Sequence, residues 1–251
     1  MRWLSVFFLC SSAALATAEP LPVRHVQGSM QKTLVVRSEA GAEIARGSLQ
    51  QVAHGTDVSL HLVYTFRDGS VDDESTDFSQ RGVFRLVRDR HIQKGPYFPR
   101  QIDVSAEMST GAVINRDKDG KAETSNFKLP DDLSNGLLGT LLLNAREDAP
   151  VFQVSYLAPV GKGRLVKLAV TSDGSGELRI AGAKRTAHIF RVKPEMGGIT
   201  AMIAAAAGMR PADTRVWIVE GDSPELVRIQ GQMYVGGPMV SIEMVGATFT
   251  R

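Results

Sequence analysis

Cysteine is all but missing from this chain: among 251 residues only Cys10 carries a thiol. A lone thiol cannot close an internal disulfide, so the fold must be held by a packed core. No long block of one charge exists either, and 29 basic against 27 acidic residues leave a formal net charge of +2. Nucleic acid is therefore not the expected partner. The five histidines, His25, His54, His61, His91 and His188, form no H-x-H or H-E-x-x-H spacing, so no metal site is expected. No G-x-S-x-G elbow is present, and Gly174-Ser175-Gly176 sits in a turn-like stretch instead. Gly161-Lys162-Gly163 lacks the glycine spacing of a P-loop and precedes a strand rather than a helix. No cofactor is implied.

What is present begins at the first residue. Arg2 precedes an apolar run, Trp3 to Cys10, and small residues lead to Ala16-Thr17-Ala18, an A-x-A site before Glu19-Pro20. The run is too short to span a bilayer. Met1 to Ala18 thus reads as a cleavable export signal, and a periplasmic or secreted location follows. A lipid-anchored alternative would retain Cys10, but Leu9 stands where lipoprotein signals place a small residue. Cleavage after Ala18 leaves 233 residues and a thiol-free mature chain, excluding cysteine catalysis and disulfide stapling together. Residues 19 to 251 are expected to form one β-rich domain, because no Pro/Ser-rich linker divides them. The weakest point is Arg146 to Pro150.

Period-two alternation dominates the mature chain. Val58, Leu60, Leu62, Tyr64 and Phe66 make one apolar face of a half-buried strand. Arg67-Asp68-Gly69 and Asp119-Gly120 read as hairpin turns. Further strands are expected at Thr33 to Arg37, Val83 to Val87, Gln101 to Ala106, Ala112 to Asn115, Lys121 to Lys128 and Val151 to Leu157. The series continues at Leu165 to Val170, Glu177 to Ile180, Ala187 to Lys193, Arg215 to Val219, Val227 to Met233 and Val240 to Met244. Two segments have helical character. Asp131 to Asn144 sets Leu133, Leu137, Leu138, Leu141 and Leu142 on one stripe behind Pro130, and the alanine-rich Ile199 to Ala207 follows two glycines. The fold class expected is mainly β (α+β): a curved antiparallel sheet or incomplete barrel with two short helices.

Candidate sites are few. Arg88, Arg90, His91 and Lys94 fall in one charged stretch and form a candidate anion site, weighed against an exposed hairpin tip. The acidic run Asp72-Asp73-Glu74 with Asp77 lacks the spacing of a calcium loop and reads as a solvated loop. His188 shares a face with Phe190 and Val192, as a core-edge histidine does. Met202, Met209, Met233, Met239 and Met244 can fill irregular apolar space or line a permissive surface.

The last third carries Val216-Trp217-Ile218-Val219, Ser223-Pro224-Glu225-Leu226-Val227-Arg228 and Gly236-Gly237-Pro238 before a final alternating strand. This order resembles the ending of an uncharacterised family of exported bacterial β-proteins, similar in architecture to lipoprotein-carrier half-barrels. The resemblance implies an envelope location and a concave apolar face, and no catalytic motif. The leading expectation is a periplasmic binding or carrier module for an apolar or amphipathic envelope molecule or lipid. Leu137, Leu141, Ile199 and Ile203 would form its lid, with Trp217 and Met233 as walls. The alternatives are an envelope scaffold that pairs with a partner protein through sheet edges, and a hydrolase centred on His91 or His188.

Overall fold

A computed structural model describes residues 21–146, 152–195 and 211–249. Fifteen strands join in one sheet. They are β1 (Met30–Ser38), β2 (Glu43–His54), β3 (Asp57–Phe66), β4 (Val71–Ser79), β5 (Arg85–Lys94), β6 (Ile102–Glu107), β7 (Ala112–Arg116) and β8 (Ala122–Asn126). After helix α1 (Leu138–Asn144) follow β9 (Phe152–Ala158), β10 (Arg164–Ile180), β11 (Ala183–Glu195), β12 (Thr214–Val219), β13 (Glu225–Gln232), β14 (Met239–Met244) and β15 (Ala247–Phe249). The order is β15-β10-β11-β12-β13-β14-β1 through β8, with β9 on the other half of β10. Every strand pair is antiparallel, and β1 beside β14 joins the two ends of the chain. The expected mainly β architecture is what forms: one open, barrel-like antiparallel sheet.

The interior is filled from within by the segment between β8 and β9. Leu133, Leu137, Leu141 and Leu142 are all at most 4% exposed. They share a core with Val58, Phe78 and Val113 from one half of the sheet and with Val170, Phe190, Val216 and Ile218 from the other. Burying each leucine contributes about 2 kcal/mol. A second cluster gathers Leu34, Val36, Tyr64, Phe66 and Phe98. A third, built on Leu178, Ala187 and Val227, lies on the opposite face of β10 to β13 beside Trp217 and Phe249.

The leucine segment is a plug more than a helix. Only Leu138–Asn144 is helical, shorter than the expected Asp131 to Asn144. Ahead of it, residues 131–137 lie along the free edge of β9. Ser155 N–H donates to Asp132 O at 3.2 Å, and Ser134 N–H donates to Ser155 O at 2.9 Å. Asn135 completes the edge with its side chain, accepting from Leu157 N–H at 2.8 Å and donating to Leu157 O at 2.9 Å. Edge pairing satisfies backbone groups that a longer helix would leave facing β9, and it covers an edge open to foreign strands. The second expected helix, Ile199 to Ala207, lies outside the described residues.

Four other expectations are corrected. Leu165 to Val170 and Glu177 to Ile180 are one 17-residue strand, β10. Asp173 to Gly176 is a bulge rather than a hairpin turn, since the register with β11 shifts between Ser172 and Ser175. Asp173 anchors it by accepting from Arg191 at 2.5 Å and Arg215 at 2.7 Å. The acidic run at Asp72 is strand β4, and the charged stretch at Arg88 is the middle of β5, paired on both sides. A polar inner face hid both strands from a reading of apolar alternation.

Candidate functional site

Strand register decides which side chains meet. Leu49, Leu62, Glu74, His91 and Val104 are successive cross-strand partners from β2 to β6. The flanking rows on the same face run Leu60, Thr76, Asp89, Ala106 and Tyr64, Asp72, Gln93. Alternation therefore places Asp72, Glu74, Thr76, Asp89, His91 and Gln93 together on the inner wall. This polar ladder is internally bonded. His91 Nε2 lies 2.8 Å from Asp72 Oδ1, and Thr76 Oγ1 donates to Asp89 Oδ1 at 2.8 Å. Gln93 Nε2 donates both to Asp72 Oδ2, at 2.7 Å, and across the sheet to Met233 O, at 2.8 Å.

Burial governs the charge state of this ladder. Loss of hydration pushes the Asp89 carboxyl up to about 8, and the neighbouring Glu74 adds to the effect while Thr76 opposes it. Glu74 is raised for the same first reason, against the opposing pull of His91 and the Gly136 N–H. Burial alone would lower His91; the Asp72 hydrogen bond and the facing carboxyls of Glu74, Asp72 and Asp89 outweigh it and raise the imidazole to about 9. The Tyr64 and Tyr156 phenols are also raised, by burial first and then by these carboxyls. Thr76 is 1% exposed and bonded to Asp89, so the Asp72–His91 pair has no accessible hydroxyl from it to activate. Among the described residues no group of three or more His, Cys, Asp or Glu could hold a metal ion.

The plug rests on this ladder. The turn at Gly136 has φ +59, and a Cβ there would overlap Thr76 Oγ1 and lie 2.7 Å from Asp89 Oδ1. Only glycine allows both the left-handed backbone and the close approach. The other end of the plug is tied to residues 21–29, a strap across one end of the sheet. Fully buried Asn144 accepts from Arg24 N–H at 2.9 Å and His25 N–H at 2.7 Å. Gln80 accepts from Gln27 N–H at 2.7 Å and donates to Gln27 O at 3.0 Å, while Gln51 donates to Gly28 O at 2.6 Å. Three carboxamides, from β2, α1 and the segment after β4, thus hold the strap, and the Arg24 guanidinium adds a bond to Ala145 O at 3.2 Å.

Where strap and plug meet, a groove of about 630 Å³ opens. Leu143, Ala145 and Pro224 contribute half-buried apolar walls over the buried Leu142, Phe190 and Ile218, Arg24 contributes a guanidinium and His25 an imidazole. Arg146 and Glu220 also line it.

The residues singled out from sequence are dispersed. Leu137 and Leu141 are buried in the main core rather than lining an open cleft. Trp217 lies on the other face of β12, 5.1 Å beneath Arg228. Met233 packs on the second cluster, and Ile199 and Ile203 lie outside the described residues. The candidate anion quartet separates because alternate strand residues face opposite ways: His91 is inside, and Arg88, Arg90 and Lys94 are outside. Both arginines are engaged there, Arg88 by Asp77 and Arg90 by a two-pronged bond to Asp103 at 3.0 and 2.8 Å. His188, 4% exposed, meets Phe190 edge-on with centroids 4.5 Å apart. Sequence reading took Asp72 and Glu74 for a solvated loop and gave no role to Asp89, Gln93 or Asn144. The signal available was period-two spacing of polar residues on β4 and β5.

A crystal structure described as a β-barrel-like protein of a domain of unknown function, DUF1849, from Brucella abortus is similar to this chain with a TM-score of 0.50. Identity is 11%, and the match covers 90% of this chain and 100% of that one. The likeness defines the class: a mainly β, barrel-like protein. No family model and no curated protein matches the chain. Among the described residues no helix is long and apolar enough to cross a membrane.

Proposed function

We propose that this is an exported, periplasmic or secreted, non-catalytic binding or carrier module of the cell envelope, and that its ligand is an amphipathic molecule with an anionic head. The observation carrying this reading is the groove between strap and plug. Its volume falls within the few hundred to about 1,000 Å³ typical of small-molecule sites. An aliphatic chain would lie against the half-buried Leu143, Ala145 and Pro224, with the anionic head towards Arg24 and His25. The Met1 to Ala18 segment supports the location. Displacement of a fluorescent fatty acid from the purified mature protein, with native mass measurement of the adduct, tests the reading. One ligand per chain is expected, and Arg24→Gln should weaken a carboxylate-headed ligand about fivefold to tenfold with unchanged melting. A protein that takes up no such amphiphile ends the proposal.

One observation favours the scaffold reading as second. Strand β8 ends the sheet and its residues are mostly exposed, offering a short edge for strand addition. Cross-linking in cells separates the two, since a scaffold gives a stoichiometric protein adduct and a carrier does not.

A further inference from the structure

The plug is fastened in two chemically different ways. Its far end is tied to the strap through Asn144, and the strap through Gln80 and Gln51, all neutral carboxamides. Its near end, the Ser134-Asn135-Gly136 turn, sits on titratable groups: the Gly136 N–H faces the Glu74 carboxyl, and a Cβ at Gly136 would overlap Thr76 Oγ1 and crowd Asp89 Oδ1. We propose that this turn and the Glu74, Thr76, Asp89 and His91 ladder form a pH-operated latch, which holds the plug on the β4–β5 wall in mild acid and lets it part from that wall as pH rises.

The physical reason lies in what surrounds the turn. Facing the ladder are Tyr64 from β3, Asp72 and Glu74 from β4, Asp89 and His91 from β5, and Tyr156 from β9. The plug turn contributes Ser134, Asn135 and Gly136, none of them charged. Asp132, the nearby plug carboxylate, is engaged on its other side by Lys167 at 2.9 Å and Ser155 at 2.8 Å. Lys32 shares the row with Leu49 and Glu74 but is held by Glu225 at 2.6 Å. His91 is therefore the cation facing three carboxyls. While Asp89 keeps its proton and His91 its charge, one cation faces the carboxyls of Asp72 and Glu74. When Asp89 ionises and His91 loses its proton, that cation is gone and negative charge accumulates beside the buried Asp72 and Asp89, and opening relieves it by hydration. The sign is consistent for both groups: each holds its proton more tightly in the closed state, so rising pH favours the open one.

The strap supplies an internal control, because among the described residues no carboxyl or imidazole side chain fastens it: its ties are the three neutral carboxamides and the Arg24 guanidinium, which donates to Ala145 O at 3.2 Å. Amide hydrogen exchange of the whole mature protein, corrected for intrinsic rate, is compared at pH 6.5 and pH 9. Peptides covering residues 134–142 should lose protection about thirtyfold more than peptides covering 23–28, the effect expected from Asp89 alone. Asp89→Asn, which cannot ionise, should remove most of that difference; Asp89→Ser, equally unable to ionise, is the second variant if the first does not fold. Parallel loss of protection in plug and strap, or an unchanged plug in the wild type, would overturn the latch. So would an Asp89→Asn or Asp89→Ser protein that opens with the wild-type pH dependence.

Discussion

Replacing Gly136 by alanine tests the central packing claim directly. Two penalties are expected. An alanine held at φ +59 costs about 1 kcal/mol, because its Cβ crowds the backbone in the left-handed region. The new methyl must also displace Thr76, which is 1% exposed and bonded to Asp89 at 2.8 Å. Overpacking of that kind costs about 1–3 kcal/mol, and disturbing the Thr76–Asp89 bond adds to it. The expected total is about 2–4 kcal/mol. Gly55 provides the matched control, with φ +64 and nothing within 4 Å of a Cβ, so Gly55→Ala carries the backbone term alone, about 1 kcal/mol. Urea unfolding followed by far-ultraviolet circular dichroism measures both. The difference between the variants, not either value, reports the contact with β4 and β5. Equal midpoints and slopes for the two would refute the placement of the plug on the ladder.

Three further outcomes are expected. Stability should peak in mild acid. The contributions of Asp89 and His91 are complete below their ordinary values of 3.8 and 6.5 and are lost as pH rises through about 8 and about 9. Asp103 and Asp173, lowered by Arg90 and Arg215 respectively, stabilise above the ordinary carboxyl range and lose that contribution as pH falls below it. Melting temperatures at pH 3, 6 and 9 check the dome, and a protein no less stable at pH 9 than at pH 6 contradicts it. Asn144→Ala strands the Arg24 and His25 N–H groups and should cost about 2–3 kcal/mol by urea unfolding, with loss confined to less than about 0.5 kcal/mol counting against the strap. Arg88→Ala, on the exposed outer face, should change stability by no more than about 0.5 kcal/mol in the same assay; a larger loss would show that its pair with Asp77 matters more than exposure allows.

How legible each element was follows from which face carries the pattern. Strand β3 was readable because Val58, Leu60, Leu62, Tyr64 and Phe66 all turn inward against apolar neighbours. Strand β4 was not, because its inward residues Asp72, Glu74 and Thr76 are as polar as the outward Asp73, Ser75 and Asp77. The leucine stripe announced burial correctly and its conformation only in part, since residues 131–137 follow an edge that exists only once β9 has folded. The mainly β, barrel-like class was legible in the succession of strands. The dispersal of Trp217, Met233 and Leu141 was not legible, because nothing in the order of residues states which face of a curved sheet becomes its interior.

The sequence by itself determined the absence of any disulfide, the export segment as an expectation, the mainly β class and the buried leucine stripe, because composition and short-range periodicity carry those properties. Tertiary structure alone decided that β1 pairs with β14, that the plug occupies the interior, and that Asp72, Glu74, Asp89 and His91 share one inner wall. These groups are up to 19 residues apart in the chain and meet through strand register, while Gly136 and Asn144 reach them and the strap from another segment. Their ionisation depends on burial and on one another's charge, and neither exists until the sheet has curved around the plug.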